Sequence, residues 1–197
     1  MFTLVGYYEL IDPAAALVNI AAIPDQHVDS RGDDITVPDD LNNIIGEVGL
    51  TAEVNLLRAQ VSSPSLRAIA LLDTEPVVGA VVFGSPPESI MHPLSPIPLA
   101  SDEALNFLMN SDPVAVGDHY GLVWLADGPQ QPTPGAIFTI RATGAATLSA
   151  GVWVNTVLTF AQTLPVGRYQ IVGLRARGTN LIASRLVPIG GRWRPGV

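Results

Sequence analysis

The last third of the chain, residues 120–197, alternates apolar segments of strand length with turn residues at short intervals. The turn signals contain glycine, proline or asparagine, which either fix φ or tolerate positive φ, as reversal of the chain requires. The segments between them predict five strands, over residues 120–126, 136–142, 152–160, 168–176 and 180–187. Several short strands at regular spacing are typical of an antiparallel sandwich or barrel.

Two of these segments, 120–126 and 170–174, carry apolar side chains on both faces. A strand that is apolar on both faces is covered on both, so we expect part of the outer surface of the sandwich to be buried as well. Neighbouring subunits are the simplest cover. The alternative is a helix or loop of the same chain laid across one sheet.

The first 119 residues predict an acidic, loop-rich part of the same single domain, 1–197, whose sandwich part is 120–197. Strands are expected over residues 1–11, 66–72 and 77–83. Residues 14–23 are compatible with a strand or a short helix, and a strand over 17–23 is favoured. Two short helices are expected over 51–61, capped by Thr51, and over 102–110, capped by Ser101. A further short helix is compatible with 38–45, and five prolines in 84–98 predict a rigid extended loop.

The charged residues are distributed very unevenly along the chain. Residues 1–127 hold all eighteen acidic residues and three arginines, a net charge of −15. Residues 128–197 hold seven arginines and no acid, a net charge of +7, which together give the overall −8. The chain contains no lysine, and arginine is the cation that is more readily buried at interfaces because it is planar and weakly hydrated.

Two interpretations of this asymmetry remain open. Acidic and basic surfaces can meet, within one subunit or between subunits, because opposite potentials speed encounter and fix register. Alternatively, the basic third makes non-specific phosphate contacts with nucleic acid. The arginines are dispersed rather than dense, which favours subunit contacts. The candidate interface or genome-facing residues are Arg141, Arg168, Arg175, Arg177, Arg185, Arg192, Trp193 and Arg194.

No catalytic or metal-binding pattern is visible in the sequence. Cysteine is absent, and His27, His92 and His119 lack the spacing of a metal site. Neither a nucleophile elbow nor a phosphate-binding glycine loop occurs. We therefore predict no catalytic residues, no metal, no cofactor and no enzymatic activity. No transmembrane segment is expected either, since charged residues and proline interrupt the longest apolar stretch, 66–83.

The acidic segment before residue 40 contains the tripeptide Arg31-Gly32-Asp33. Integrins bind this tripeptide when an extracellular loop displays it. Because the match is only three residues long and lies between Asp29 and Asp34, an ordinary acidic turn is the simpler interpretation.

Five segments of the last third form a recognisable succession: Gly151-Val-Trp-Val, Leu164-Pro-Val-Gly-Arg-Tyr169, Ile171-Val-Gly-Leu174, Ile182-Ala-Ser-Arg-Leu186 and Trp193-Arg-Pro-Gly196. The composition is lysine-free and proline-rich, with 48% hydrophobic and only 14% charged residues. In both respects the chain resembles the terminal β-sandwich part of major capsid proteins from icosahedral bacteriophages and related viruses.

This resemblance implies a jelly-roll-like coat subunit that assembles with itself into an icosahedral, trimer-based shell. It implies a virion location after synthesis in the host cytoplasm, with other virion proteins as further partners and genome contact through arginine. The resemblance supplies no catalytic residues. The alternative is a β-sandwich module for attachment, a spike or decoration of the virion, which would not form shells.

Overall fold

The computed structural model describes the chain apart from residues 14–15, 26–27, 52–55, 68–71, 75–94, 112–115, 130–134, 137–138, 172–173, 179–180, 190–195 and 197. The described part is mainly β and all its strand pairs are antiparallel, so the predicted fold class is confirmed. The elements in chain order are β1 (Phe2–Ile11), β2 (Val18–Ile20), β3 (Ser30–Arg31), β4 (Asp34–Thr36), β5 (Asn43–Thr51), β6 (Leu56–Ser62), α1 (Pro64–Arg67), β7 (Leu72–Thr74), β8 (Ile97–Pro98), β9 (Ala104–Ser111), β10 (Gly117–Ala126), β11 (Ala142–Thr143) and β12 (Thr159–Phe160).

The first sheet has the strand order β1-β10-β5-β8. β1 and β10 pair along their whole lengths, and β5 pairs with the other side of β10, with a shift of register between Trp124 and Leu125. Val123 and Leu125 of β10 face the interior of the sandwich, whereas Leu122 and Trp124 face outward. The apolar residues on both faces of 120–126 therefore occupy two separate clusters.

The second sheet is centred on β9, which pairs with β6 along one edge and with β4 and β2 along the other. The two sheets are continuous at one side, because the chain after β2 pairs with β1. There the Tyr8 amide donates to the Ala21 carbonyl and the Ile23 amide donates to the Gly6 carbonyl, each at 2.8 Å. The sandwich is therefore curled across this edge.

The core between the sheets closes around Phe107 of β9. Its ring fills the space where Gly49 and Gly121 lie opposite each other on β5 and β10. A Cβ atom on Gly121 would stand only 2.4 Å from that ring, so a side chain at this position would displace it. Tyr7 packs beside Phe107 with its ring centroid 5.8 Å away and donates its hydroxyl to the Leu105 carbonyl at 2.7 Å.

The outer face of the first sheet is covered by the C-terminal part of the same chain. The buried side chains of this face pack against Trp153, Ile182 and Ala183. The Trp124 indole nitrogen also donates to the Gly196 carbonyl at 2.9 Å. A segment of the same chain therefore covers this face. This is the alternative to a neighbouring subunit that the sequence analysis left open.

Both predicted helices are wrong. In 51–61, Thr51 ends β5 and the other described residues belong to β6, while 104–110 of the second segment belong to β9. In β9 every second residue, Leu105, Phe107 and Met109, is fully buried, which is a period of two. The adjacent apolar Leu108 imitates a helical stripe in the sequence. Pairing along both edges of β9 outweighs local propensity and the Ser101 cap signal.

The helix considered over 38–45 does not form either, since Asp39 and Asp40 lie in a turn and β5 begins at Asn43. The one helix among the described residues, α1, takes the first two residues of the strand predicted over 66–72, so that strand is wrong there. Residues 68–71 of the same prediction lie outside the described residues, and Leu72 begins β7. The strand predicted over 77–83 lies outside the described residues.

The strands predicted for the last third are mostly wrong. β10 confirms 120–126, but the described part of 127–197 forms only two strands, β11 and β12, of two residues each. One isolated antiparallel bridge joins Arg185 to Gly196. Turn residues mark reversals of the chain, whereas a strand also needs a partner. In this chain the segments before residue 127 supply partners for one another. Accordingly, the strand predicted over 1–11 is confirmed as β1, and that over 17–23 is confirmed in part as β2.

Candidate assembly surface

Residues 139–171, which we call the arm, are the least packed part of the described chain. The two limbs of the arm pair through β11 and β12, and the Ala161 amide donates to the Arg141 carbonyl at 2.9 Å. The chain reverses around Gly151, whose φ is 67°. A lone two-stranded hairpin is marginally stable in water, so the arm depends on what packs against it.

The arm is apolar and almost wholly exposed. Of its 33 residues, 28 are exposed and none is buried. It carries eight of the thirteen large hydrophobic side chains that are exposed in the described part of the chain: Leu148, Val152, Val154, Val157, Phe160, Val166, Tyr169 and Ile171. Such a concentration of exposed apolar side chains is typical of an interaction surface.

The arm contacts the sandwich through its turn. A Cβ atom on Gly151 would lie 2.1 Å from the Tyr8 ring, so the ring packs directly on the backbone of the turn. Trp153 lies next to Gly6 and is half-buried against the outer face of the first sheet. These contacts fix the turn, while the limbs beyond it stay exposed.

Arg185 lies in a buried cluster that fastens the C-terminal segment to the sandwich. Its Nη1 atom lies 2.5 Å from Oδ2 of Asp25, and both side chains are only 7% exposed. Nη1 also donates to the Leu4 carbonyl at 3.3 Å, and the guanidinium carbon lies 4.0 Å from the centre of the Trp153 ring. An opposite charge, a carbonyl and a ring face together replace the hydration that this arginine has lost.

At Arg185 the acidic and basic halves of the chain meet within one subunit. The predicted interface residue is thus committed to internal packing rather than to a surface. Exposed positions are occupied by Arg141, Arg168, Arg175 and Arg177. Outside the described residues lie Arg192, Trp193 and Arg194. The structure therefore brings two of the predicted arginines, Arg141 and Arg168, onto the exposed arm.

A second surface lies on the outer face of the first sheet, where β1 ends and β10 begins. Tyr8 is opposite Tyr120 and Leu10 is opposite Asp118, while Val116 immediately precedes β10. We call these five residues the tyrosine patch. The rings of Tyr8 and Tyr120 are 4.9 Å apart between centroids. Sequence reasoning missed this patch because the sequence shows how residues alternate within each strand but not the register in which the two strands pair.

The hydroxyl groups of the patch are held in their neutral form. Tyr8 donates its hydroxyl to Oδ1 of Asp118 at 2.8 Å. Burial first, and then the hydrogen bond to Asp118, raise the pKa of Tyr8 to about 12. Burial, followed by the charge of Asp118, also raises the pKa of Tyr120. At neutral pH the patch is therefore aromatic, apolar and negatively charged only through the Asp118 carboxylate.

His119 and Thr51 form a polar pair inside the sandwich. They are register partners on β10 and β5, and Nδ1 of His119 lies 2.9 Å from Oγ1 of Thr51. Both side chains are fully buried, so we assign the pair a structural role. Among the residues described here, no group of three or more His, Cys, Asp or Glu is placed to hold a metal ion. Absence of enzymatic activity stays a prediction.

The Arg31-Gly32-Asp33 tripeptide forms the turn between β3 and β4. All three residues are exposed, and Gly32 adopts a φ of 64°, which favours glycine. The Arg31 guanidinium lies 3.3 Å from the Asp29 carboxylate, and the Asp29 and Arg31 side chains are both well exposed. The tripeptide is therefore an ordinary hairpin turn that also displays its side chains to solvent.

None of the helical residues described in this structure belongs to a helix with the length and apolar character needed to cross a membrane. No protein-family model, curated protein or solved structure matches the chain.

Proposed function

We propose that this chain is a structural, coat-type subunit that assembles with copies of itself into a closed icosahedral shell. The observation that carries the proposal is the arm, which exposes eight large apolar side chains and no carboxylate. A subunit that stayed alone in water would leave this surface uncovered. In the proposed role the chain is part of a virion and is made in the host cytoplasm.

The arm, rather than a sheet face, is the assembly element in this proposal. The part of the outer face formed by Leu122 and Trp124 and their neighbours is already covered by Trp153, Ile182 and Ala183 of the same chain. The limbs of the arm have no comparable cover, since none of the residues 139–171 is buried. Apolar contacts between subunits are therefore expected to involve the arm first.

The size of such contacts decides how the shell would hold together. An interface of about 1,600 Å² in total would give a gross apolar free energy of tens of kcal/mol at ~25 cal/mol/Å². Losses of translational freedom and ordering of side chains offset most of that gain. Each contact would then be modest, and repetition by symmetry would stabilise the particle.

The proposal is tested by the size of the purified, tag-free protein, measured by negative-stain microscopy and light scattering over a range of salt concentrations. We expect uniform closed particles. The variant carrying Val157→Asp and Val166→Asp should fold normally, because both side chains are nearly fully exposed, but should not assemble. The matched control is Ile189→Asp, an equally exposed position outside the arm. A monomer at every salt concentration would overturn the proposal.

A second candidate function is an attachment or decoration module of a virion. The exposed Arg31-Gly32-Asp33 turn favours it, because the tripeptide stands on a tight hairpin and is accessible to a receptor. This candidate predicts a stable monomer or trimer instead of megadalton particles. It also predicts binding to immobilised integrin that Asp33→Glu abolishes, with Asp34→Glu as the matched control.

A further inference from the structure

We propose that the arm of one subunit docks on the tyrosine patch of a second copy of this chain. The inference rests on the proposed self-assembly and specifies its contact. It identifies Tyr8, Leu10, Val116, Asp118 and Tyr120 as the receiving surface and residues 139–171 as the inserted element. The occupant is the same protein, not nucleic acid and not a different partner.

Exposed apolar area on the sandwich itself is concentrated at the tyrosine patch. In the described part of residues 1–138, only three large hydrophobic side chains are exposed: Met1, Leu10 and Val116. Leu10 is 57% exposed and Val116 is 66% exposed, and both belong to the tyrosine patch. The half-buried rings of Tyr8 and Tyr120 extend this surface. In its described part the sandwich therefore presents its exposed apolar side chains to an apolar arm mainly at the tyrosine patch.

The charges of the two surfaces favour a contact between arm and patch rather than a contact between two arms. The arm carries Arg141 and Arg168 and no acid, so two facing arms would bring like charges together. The patch carries the Asp118 carboxylate, whose two oxygens can accept several hydrogen bonds in addition to that from Tyr8. An arginine beside an aromatic ring and a carboxylate is also a favourable arrangement at an interface.

The covering arm comes from a second copy because the subunit's own arm leaves the patch open. Its turn already packs on one side of the Tyr8 ring through Gly151. Leu10 and Val116 nevertheless remain exposed, and so do the limbs of the arm. Arm and patch thus adjoin on one subunit, which suits a reciprocal contact in which each copy inserts its arm on the other's patch.

The absence of cysteine permits a clean cross-linking test. Leu10→Cys protein and Val157→Cys protein are mixed at high salt, dialysed to low salt and oxidised. A disulfide between the two different variants can form only between subunits. We expect at least ten times more covalent heterodimer from this mixture than from the matched control. The control mixes Val157→Cys protein with Asp39→Cys protein, whose cysteine stands at an exposed position off the patch.

The outcomes separate this inference from the proposed function. If the wild-type protein assembles but the heterodimer does not exceed the control, the docking is wrong and self-assembly stands. Predominant linkage of Val157→Cys to itself would establish arm-to-arm contact and overturn the docking. Particles that dissociate on nuclease treatment would assign the arm to nucleic acid, which also overturns it. A wild-type protein that stays monomeric defeats both proposals.

Discussion

The guanidinium group of Arg185 is removed from water and held by Asp25, the Leu4 carbonyl and the Trp153 ring. This buried location distinguishes Arg185 from the exposed arginines of the basic segment, which can contact solvent or another molecule. A buried charge whose partner is removed remains unpaired in a medium of low dielectric constant, and that is costly. The residue should therefore govern folding rather than assembly.

We expect Arg185→Ala to lower the free energy of unfolding by about 3–5 kcal/mol, because it leaves the Asp25 carboxylate buried without its cation. Chemical denaturation followed by tryptophan fluorescence measures the change. Arg175→Ala is the control, since Arg175 is exposed and its removal should change stability by less than about 0.5 kcal/mol. Equal effects of the two substitutions would contradict the assignment.

The tyrosine patch should make stability sensitive to alkali. The pKa of Tyr8 is about 12 in the folded chain, above the value of about 10 expected for an unfolded chain. Between these values the folded state keeps a proton that the unfolded state has lost. The contribution of Tyr8 to stability is therefore complete below pH 10 and is lost as the pH rises through about 12.

We expect the free energy of unfolding to fall from pH 10 to pH 12, and Tyr8→Phe to make that fall less steep. Denaturation at each pH measures it. The pKa of Tyr7 is also raised, by burial and then by the charge of Asp34, so some dependence should persist in the variant. If the free energy of unfolding fell as steeply with pH in Tyr8→Phe as in the wild type, Tyr8 would not hold its proton to a higher pH in the folded chain than in the unfolded one.

The contact between Gly121 and Phe107 sets how closely the two sheets approach. We expect Gly121→Ala to destabilise the fold by about 1–3 kcal/mol, because the new methyl group would overlap the ring. Gly135→Ala is the control, since nothing lies within 4 Å of a Cβ atom there. Thermal unfolding of both variants checks the difference.

A smaller side chain at position 107 should relieve the overlap. In the double variant Gly121→Ala with Phe107→Leu, the loss of stability should be smaller than the sum of the two single losses. Additive losses would place the cost of the alanine in the β10 backbone instead of in this contact.

A strand could be predicted from the sequence only where its own residues, without those of its partner strand, show a strand pattern. β1 and β10 were predicted correctly because each is a long apolar run between turn signals. β9 was not, because Leu108 makes its alternation resemble a helical stripe and its strand character comes from pairing with β6, β4 and β2. The tyrosine patch and the Asp25–Arg185 pair were likewise beyond sequence reasoning, since residues far apart in the chain compose them.

For the whole molecule, the uneven charge distribution has two separate consequences. Inside the subunit, the Asp25–Arg185 pair binds the basic segment to the acidic sandwich. Outside it, the exposed arginines of the arm meet solvent, while the described part before residue 127 exposes several carboxylates, among them Asp33, Asp34 and Asp102. Copies of the subunit should therefore attract one another through unlike surfaces even though each has a net charge of −8.

The salt dependence of assembly tests that attraction. Because these charges are exposed, ions screen them over a Debye length of about 10 Å at 0.1 M salt. We expect self-association, measured by sedimentation, to weaken about tenfold or more between 50 mM and 500 mM salt. The variant with Arg141→Gln and Arg168→Gln should lose most of this dependence, whereas Arg31→Gln, an exposed arginine on the acidic sandwich, should retain it. Association that strengthens with salt would instead indicate that apolar contacts alone hold the arm to its neighbour, because salt screens charges and favours burial of apolar surface.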